Sequence, residues 1–249
     1  YRNKISLHGY CANPFVSAAE QGGARPHGAP SVSQVISADP SAHPCREARQ
    51  HANILGYFSD DNRKVIDVES CPLSNSGINN LLRKLRSNAS FMNSIRPHML
   101  VTFRYTEKDG AFHWIGKGSP AGRWLTEETA IGPLSVPRGS FFQVNPAVAD
   151  LVLEHVMEIL KSTGCNSLVD LFCGNGIFAL AAGRTGCSQC IGIDCDAEAV
   201  KAARYNATAM KLGNMPFIAG PARKEFEHMP KPSSPDKTIL LVDPPRTGL

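Results

Sequence analysis

The sequence lacks any apolar run long enough to cross a membrane. Its hydrophobic content of 42% is ordinary for a globular protein, and no stretch approaches the ~18 to 20 consecutive apolar residues of a spanning helix. Residues 1–4 also lack the apolar segment of a secretory signal. We therefore expect a cytoplasmic protein that makes no contact with a membrane.

Cysteine is present, but the pattern of a disulfide framework is missing. Five of the eight cysteines fall in residues 138–249, several of them in apolar, strand-like surroundings. That placement favours reduced, buried thiols. Cys187 and Cys190 have the spacing of a metal knuckle, but no second pair of this kind exists. We therefore predict structural thiols and no metal site.

A strong charge of either sign is also absent, since the net charge is only +4. Residues 1–137 hold 15 Lys and Arg against 11 Asp and Glu, whereas residues 138–249 hold 11 of each. The positive excess in the first part favours contact with a polyanion there. Scattered, solvated charges explain the same imbalance about as well.

Regular periodicity is missing from residues 11–52, which are rich in Pro, Gly, Ala and Ser. We predict an irregular insertion there. On either side, alternating or apolar segments predict strands at 3–8, 54–58, 65–70, 98–105 and 111–115, with a helix at 78–86. Residues 1–137 are therefore predicted to form a small, sheet-rich α+β domain.

Residues 138–249 have clearer start and stop signals. Asn145 followed by Pro146 is an N-cap with proline at the first helical position. The predicted order is then helix 146–161, strand 167–172, helix 177–184, strand 189–194, a helix after Asp196 to 212, strand 216–219 and strand 238–243. Strands alternating with helices predict a parallel, Rossmann-like α/β sheet.

A glycine loop after the first of these strands indicates a nucleoside cofactor. Gly174, Gly176 and Ala179 satisfy the G-x-G-x-x-A fingerprint, and Asp194 lies twenty residues beyond Gly174. Glycines let the backbone approach a ligand, and the acidic side chain accepts hydrogen bonds from ribose hydroxyls. NAD and S-adenosylmethionine (SAM) both remain open on this evidence, as does a plain strand–turn–helix joint.

Three neighbouring features favour SAM. Asp170 ends the strand before the loop, where its charge suits a sulfonium and opposes a pyrophosphate. Asp243 ends another strand, and the two prolines that follow it fix φ and make a rigid ledge. Gln143 precedes the Asn145 cap, and its amide would need partners if it were buried.

Three segments in this order resemble the RNA 5-methyluridine methyltransferases, the uracil-C5 family that acts on tRNA and rRNA. They are Phe141-Phe142-Gln143-Val144-Asn145, Asp170-Leu171-Phe172-Cys173-Gly174-Asn175-Gly176 and Asp243-Pro244-Pro245-Arg246. Residues 1–4, 56–58 and 66–72 are similar to the family's central domain, so the resemblance covers nearly the whole chain outside 11–52. It implies a SAM-binding methyltransferase sheet in residues 138–249, incomplete at the C-terminus, and a central RNA-binding domain in residues 1–137.

The resemblance also implies which residues hold the cofactor. SAM contacts are expected at Gln143, Phe172, Gly174, Gly176, Asp194 and Asp243. Phe172 would lie along the cofactor, Asp194 would hold the ribose, and Asp243 would border the methyl-transfer site. Two further positions refine the placement within methyltransferases.

Ile177 stands where the family often has Asn, so one polar contact to the cofactor is expected to be missing. Arg246 follows the second proline, where RNA cytosine-C5 enzymes carry Cys and amino-group methyltransferases favour an aromatic residue. Arg246 therefore argues against both of those classes.

The mechanism that the resemblance implies is covalent. A cysteine thiolate adds to C6 of uracil, C5 then takes the methyl group from SAM, a base removes the C5 proton, and the thiolate leaves. The family places the nucleophile and the base after Asp-Pro-Pro-Arg, and the sequence stops at Leu249. We therefore expect no catalytic residue in this chain, with Cys173 as the one substitute to consider.

The leading expectation is SAM-dependent methylation of uridine C5 in tRNA or rRNA, by this chain or by a longer enzyme of which it is a truncated segment. A non-catalytic remnant that binds SAM or RNA is the alternative from another class. A nicotinamide-dependent oxidoreductase is the weaker enzymatic alternative.

Overall fold

The computed structural model describes residues 2–11, 53–116, 122–213 and 215–245. The predicted insertion beyond Cys11, and Arg246, lie outside these residues. The chain divides into two compact units, one of Tyr1–Ile5, Pro72–Ile78 and Phe103–Leu249, the other of Ser6–Cys71 and Asn79–Thr102. The division into separate domains at residues 1–137 and 138–249 stays a prediction.

The first part of the chain contains the predicted strands and helix, and a second helix whose position the sequence did not predict. Its elements are β1 Lys4–Cys11, β2 Asn53–Phe58, β3 Val65–Asp67, α1 Ser76–Arg86, α2 Ala89–Ser94, β4 Leu100–Thr106 and β5 Gly110–Ile115. The strand order in the sheet is β3-β2-β1-β4-β5. The additional helix α2 begins at Asn88, whose side chain accepts a hydrogen bond from the Phe91 backbone N–H.

A two-stranded antiparallel ribbon that the sequence did not predict precedes the second part. It pairs β6, Leu125–Glu127, with β7, Leu134–Val136. Three residues are too few for a period-two pattern to be recognised among the surrounding polar residues. β7 also lies against the later helix α5, Ala197–Ala209, through two hydrogen bonds between Ser135 and the Asn206 side chain.

The predicted parallel sheet is present. After α3, Pro146–Thr163, the chain forms β8 Ser167–Leu171, α4 Ile177–Arg184, β9 Gln189–Asp194, α5, β10 Phe217–Ala219, α6 Ala222–His228, a 3-10 turn at Pro235–Lys237 and β11 Thr238–Val242. The strand order is β10-β9-β8-β11, and each neighbouring pair is parallel. Helix α6 and the 3-10 turn were not predicted, and α5 ends three residues earlier than expected.

The central strands of this sheet, β8 and β9, are buried on both faces. Leu168 and Cys190 face one apolar cluster with α3, α4 and α5, while Val169 and Ile191 face a second cluster next to α6. Burial on both faces is the normal state of a parallel sheet and explains the continuous apolar runs. No helix in the described part of the chain combines the length and apolarity needed to cross a membrane.

Candidate functional site

Asp194 organises the loop at the carboxyl edge of the parallel sheet. One of its carboxylate oxygens accepts a hydrogen bond from the Gly174 backbone N–H at 2.8 Å, and the other accepts from the Asp196 N–H at 2.8 Å. A carboxylate oxygen can accept more than one hydrogen bond, so capacity remains for a ribose hydroxyl. Asp194 is therefore a structural residue of the loop as well as a candidate ligand.

The two loop glycines serve different purposes. Gly174 has φ +52°, and a Cβ built on it meets nothing within 4 Å, so open space lies above it. Gly176 has φ +82°, and a Cβ there would lie 2.8 Å from the Phe217 ring and 2.9 Å from the Ala203 side chain. Its N–H donates to the Cys173 carbonyl at 2.8 Å. Gly174 thus borders space for a ligand, whereas packing alone explains why residue 176 is glycine.

Phe172 has a backbone conformation that is rare for a residue with a side chain. Its φ is +66°, in the left-handed region, which costs on the order of 1–3 kcal/mol for a residue other than glycine. The half-buried ring packs against the apolar cluster that includes Leu171 and Ile193. Such strain is concentrated at functional sites, where the surrounding structure maintains it.

Asp170 is fully buried, and neither of its carboxylate oxygens has a hydrogen-bond partner among the described residues. The nearby Ala179 N–H lowers the pKa of Asp170, although the two groups do not form a hydrogen bond of normal geometry. Burial, followed by the charges of Asp194 and Asp243, raises the pKa of Asp170 to about 8. The residue therefore lies beneath the loop, and a direct contact with a ligand would require movement.

Asp243 follows β11 and is exposed. Its backbone N–H donates to the Leu171 carbonyl at 3.4 Å, which continues the pairing of β11 with β8. Asp170, Asp194 and Asp243 thus lie at the carboxyl ends of three neighbouring parallel strands, β8, β9 and β11. The Asp194 and Asp243 carboxylates give this edge a negative field that suits a cationic ligand group and opposes a pyrophosphate. Asp170 adds little charge at neutral pH because its pKa is raised to about 8.

Gln143 is half-buried. The segment around it is held on both sides. The Phe141 carbonyl accepts from the Asn175 side chain at 2.8 Å, Phe142 is buried in the core, and Asn145 caps α3. The Gln143 amide is therefore attached to a backbone segment that is held on both sides.

Asn175 is a site residue that the sequence did not reveal. Its Nδ2 bond to Phe141 joins the glycine loop to the Gln143 segment, and its buried Oδ1 has no partner among the described residues. The residue lies inside the recognised loop motif, but nothing in its spacing predicts a contact with a residue 34 positions away. It connects two of the predicted ligand-binding segments.

A buried ion pair that the sequence also did not reveal holds the backbone before Gln143. Arg104 is 1% exposed and binds the Glu127 carboxylate at 2.7 Å. The same guanidinium donates to the Pro137, Arg138 and Ser140 carbonyls at 2.9–3.3 Å. Residues 137–140 are therefore fixed from beneath by one side chain.

Cys173 lies next to the glycine loop but is unsuited to nucleophilic attack. It is 4% exposed, and burial, followed by the charges of Asp170 and Asp194, raises the pKa of its thiol well above the ordinary value. A nucleophilic cysteine requires the opposite environment, partly exposed and electropositive. The structure therefore argues against Cys173 as a substitute nucleophile.

Two remaining predictions concern Ile177 and the two cysteines with the spacing of a metal knuckle. Ile177 begins α4 and packs against the core, so an apolar contact takes the place of the polar one expected in the family. Cys187 and Cys190 are free thiols. Among the described residues, no three His, Cys, Asp or Glu side chains are arranged to hold a metal ion.

Comparison with known proteins finds a family match in the second part of the chain. Residues 134–249 match the sequence pattern of the tRNA (uracil-5-)-methyltransferase family. The predicted family resemblance is confirmed. The matched range contains Gln143 and also the glycine loop, Asp194 and Asp243, which the structure brings to one edge of the sheet.

Named relatives extend the similarity toward the first part. The tRNA (uracil(54)-C(5))-methyltransferase of Schizosaccharomyces pombe is 29% identical over 210 residues, which span 78% of this chain and 38% of that protein. The 23S rRNA (uracil(747)-C(5))-methyltransferase of Shewanella baltica is 33% identical over 132 residues, 51% of this chain and 33% of that protein. The chain thus spans well under half the length of these relatives.

A solved structure confirms the fold. The Pyrococcus abyssi tRNA (uracil-54, C5)-methyltransferase, crystallised with S-adenosyl-L-homocysteine, aligns with 100% of this chain and 60% of its own length. The TM-score is 0.61 at 14% sequence identity. The predicted fold class, a Rossmann-like methyltransferase sheet preceded by a sheet-rich part, is therefore confirmed.

Proposed function

We propose that this chain is the SAM-binding part, with an adjoining RNA-binding part, of an enzyme that methylates C5 of uridine in tRNA or rRNA. The observation that carries the proposal is the negative edge of the parallel sheet, where the Asp194 and Asp243 carboxylates follow the two strands on either side of β8. SAM supplies a methyl group on a positively charged sulfonium, and this edge attracts that charge.

The individual residues support SAM binding. The space above Gly174 leaves room for a ligand close to the backbone. Asp194 has hydrogen-bonding capacity for ribose hydroxyls, and Phe172 offers a half-buried ring beside the loop. The half-buried Gln143 would make a further contact with SAM, and the exposed Asp243 would border the methyl-transfer site. The donor set thus fits SAM and opposes the pyrophosphate of a nicotinamide dinucleotide.

RNA is the proposed partner, and residues 1–137 are the proposed contact. The positive excess of that part supports the proposal, as do relatives whose names state tRNA and rRNA substrates. The six described cysteines are free thiols, which supports a reducing compartment such as the cytoplasm. RNA affinity should fall with added salt because phosphate contacts release counterions.

Isothermal titration of the chain with SAM and, separately, with NADH tests the proposal. We expect heat of binding with SAM and none with NADH. The matched variant is Gly174→Ala, in which the new methyl group enters the open space and strains a left-handed backbone. It should weaken SAM binding more than Gly164→Ala, a second left-handed glycine with open space at the end of α3.

NADH binding without SAM binding would overturn the cofactor assignment and favour the oxidoreductase. SAM binding without any salt-dependent binding of an unmodified tRNA transcript would overturn the RNA part of the proposal. Equal SAM affinity of the Gly174 and Gly164 variants would contradict the placement of the ligand above the loop.

A further inference from the structure

Four aromatic rings form a strip at the surface of the unit that contains the parallel sheet. Both tryptophans of the chain belong to it. Phe112 and Trp114 are alternate residues of β5, with ring centroids 5.9 Å apart and an interplanar angle of 22°. Trp124 meets Tyr205 of α5 edge-on at 5.7 Å. None of these four residues is fully buried, and Tyr205 is 55% exposed.

Three cations accompany the four rings, which together we call the aromatic–cation strip. The Lys4 ammonium lies 5.6 Å from the Trp114 ring centroid. The Arg138 guanidinium lies 5.1 Å from the Phe112 centroid, and the Lys201 ammonium lies 6.0 Å from that of Trp124. These distances are within the range of cation–π contacts. The strip therefore combines flat apolar rings with positive charge along its length.

Arg138 connects the two ring pairs. Its Nε donates to the Arg123 carbonyl at 3.1 Å, directly before Trp124, while its guanidinium covers Phe112. Its own backbone carbonyl accepts from the buried Arg104 at 2.9 Å. The central cation of the strip is thus fixed at both backbone and side chain, which lowers the entropy cost of binding a ligand.

Rings and cations in alternation match the chemistry of single-stranded nucleic acid. Bases stack on aromatic side chains and on guanidinium planes, and cations neutralise the phosphates between them. An acidic peptide would satisfy the cations but would leave the rings without partners. We propose that the aromatic–cation strip binds an unpaired segment of RNA, with bases stacked on Tyr205 and Arg138 and phosphates near Lys4 and Lys201.

This inference rests on the proposed function and assigns the RNA contact within it to particular residues. Three of these residues, Arg138, Lys201 and Tyr205, lie outside residues 1–137, the part to which the charge imbalance pointed. Arg138 precedes Gln143 by five residues, and Asn175 ties the intervening backbone to the glycine loop. RNA held on the strip would therefore be anchored on the same backbone segment as Gln143, a predicted SAM contact.

The two tryptophans provide a direct test in the unaltered chain. A fluorescein-labelled oligouridylate of about twelve nucleotides, within the usual site size, is titrated by anisotropy while an unlabelled copy is followed through tryptophan emission. We expect the emission to be quenched along the same binding curve. An unmodified tRNA transcript should give the same quenching with higher affinity.

Substitutions then separate stacking from charge. Tyr205→Leu keeps an apolar side chain but removes the ring, and Arg138→Lys keeps the charge but removes the planar guanidinium. Each should weaken oligouridylate binding by about 5- to 100-fold, the effect of losing a stacked base. Arg223→Ala, which removes a cation 95% exposed elsewhere on the unit, is the matched control and should change affinity by less than about twofold. All variants should bind SAM like the wild type.

Three outcomes would contradict the proposed binding of RNA to the aromatic–cation strip. Anisotropy binding without quenching of tryptophan emission, or with variant affinities equal to that of the control, would overturn the strip and leave the proposed function intact. Quenching by polyglutamate at concentrations where oligouridylate gives none would assign the strip to an acidic protein partner. Failure of the wild type to bind either RNA would overturn the proposed function as well.

Discussion

Glu127 and Asp170 are two buried carboxyl groups with opposite surroundings. Burial raises the pKa of both. Glu127 has the Arg104 guanidinium at 2.7 Å, whereas Asp170 has no hydrogen-bond partner among the described residues and faces two further carboxylates. A buried carboxylate that is paired with a cation fixes local structure, whereas a buried carboxyl group without a partner keeps its proton to a higher pH. Glu127 therefore supports the backbone of the site, and Asp170 makes the stability of the protein depend on pH.

The largest expected effect on stability comes from removing the cationic partner of Glu127, which leaves this carboxylate buried and without its counter-ion, as Asp170 is. Arg104→Met leaves the Glu127 carboxylate buried without its cation and should cost about 3–5 kcal/mol in the free energy of unfolding. The measurement is urea denaturation. The change also removes the donor to the Pro137, Arg138 and Ser140 carbonyls. SAM affinity should therefore fall in the protein that remains folded.

Arg223→Met provides the matched control for that substitution. Arg223 is 95% exposed, and its ion pair with Glu227 at 3.9 Å is on the surface, so the change should cost less than about 0.5 kcal/mol. The double change Arg104→Met with Glu127→Gln should recover part of the loss by removing the unpaired charge. Equal costs for the two arginine variants would contradict the supporting role of the buried pair.

The second prediction concerns Asp194, whose carboxylate raises the pKa of Asp170. Asp194→Ala should weaken SAM binding by about 1.5–3 kcal/mol, the range for a hydrogen bond to a charged group. It also releases the Gly174 and Asp196 backbone N–H groups. Calorimetric titration measures the effect, and Asp196→Ala is the control because that residue caps α5 without facing the loop. An unchanged SAM affinity in the Asp194 variant would refute its role at the ribose.

The third prediction concerns the pH dependence that an unpaired buried carboxyl creates. The pKa of Asp170 is about 8 in the folded state and about 4 in an unfolded chain. Between these values the folded state holds a proton that the unfolded state has released, so stability falls as pH rises. The slope should reach about 1.4 kcal/mol per pH unit. Asp170→Asn should remove it.

Urea denaturation of the wild type and the Asp170→Asn variant between pH 5 and pH 8, the window set by these two pKa values, makes the comparison. Glu127→Gln should leave a larger share of the slope because Arg104 opposes the rise in the Glu127 pKa. Parallel stability curves for the wild type and the Asp170 variant would show that Asp170 has a partner in solution.

The same contrast explains which residues of the site could be predicted from the sequence and which could not. Asp170, Asp194 and Asp243 follow apolar strands, and strand ends in a parallel sheet meet at one edge, so local pattern was enough to predict their neighbourhood. Arg104 and Glu127 lie 23 residues apart on strands of different sheets, and Asn175 bonds a carbonyl 34 residues away. Pairings of this kind depend on tertiary approach, which no periodicity reveals.

The short elements were missed for a related reason. β6 and β7 have three residues each, and their stability comes from Asn206 of α5 and from the buried Arg104–Glu127 pair rather than from their own pattern. The long helix α3, by contrast, is determined by its Asn145 cap and its own apolar spacing. Elements with local signals were predicted, and elements held by distant partners were not.

The smallest expected effect concerns Cys173, which lies beside Asp170 and shares its environment. Burial and the neighbouring carboxylates raise the pKa of this thiol, so it stays protonated at neutral pH and reacts slowly. Iodoacetamide should label the exposed Cys195 much faster. Cys173→Ala should cost about 1 kcal/mol of stability, as expected for a small buried side chain, and should leave SAM affinity unchanged. Rapid alkylation of Cys173 that SAM prevents would make it a reactive residue of the site and would reopen its assignment as the nucleophile.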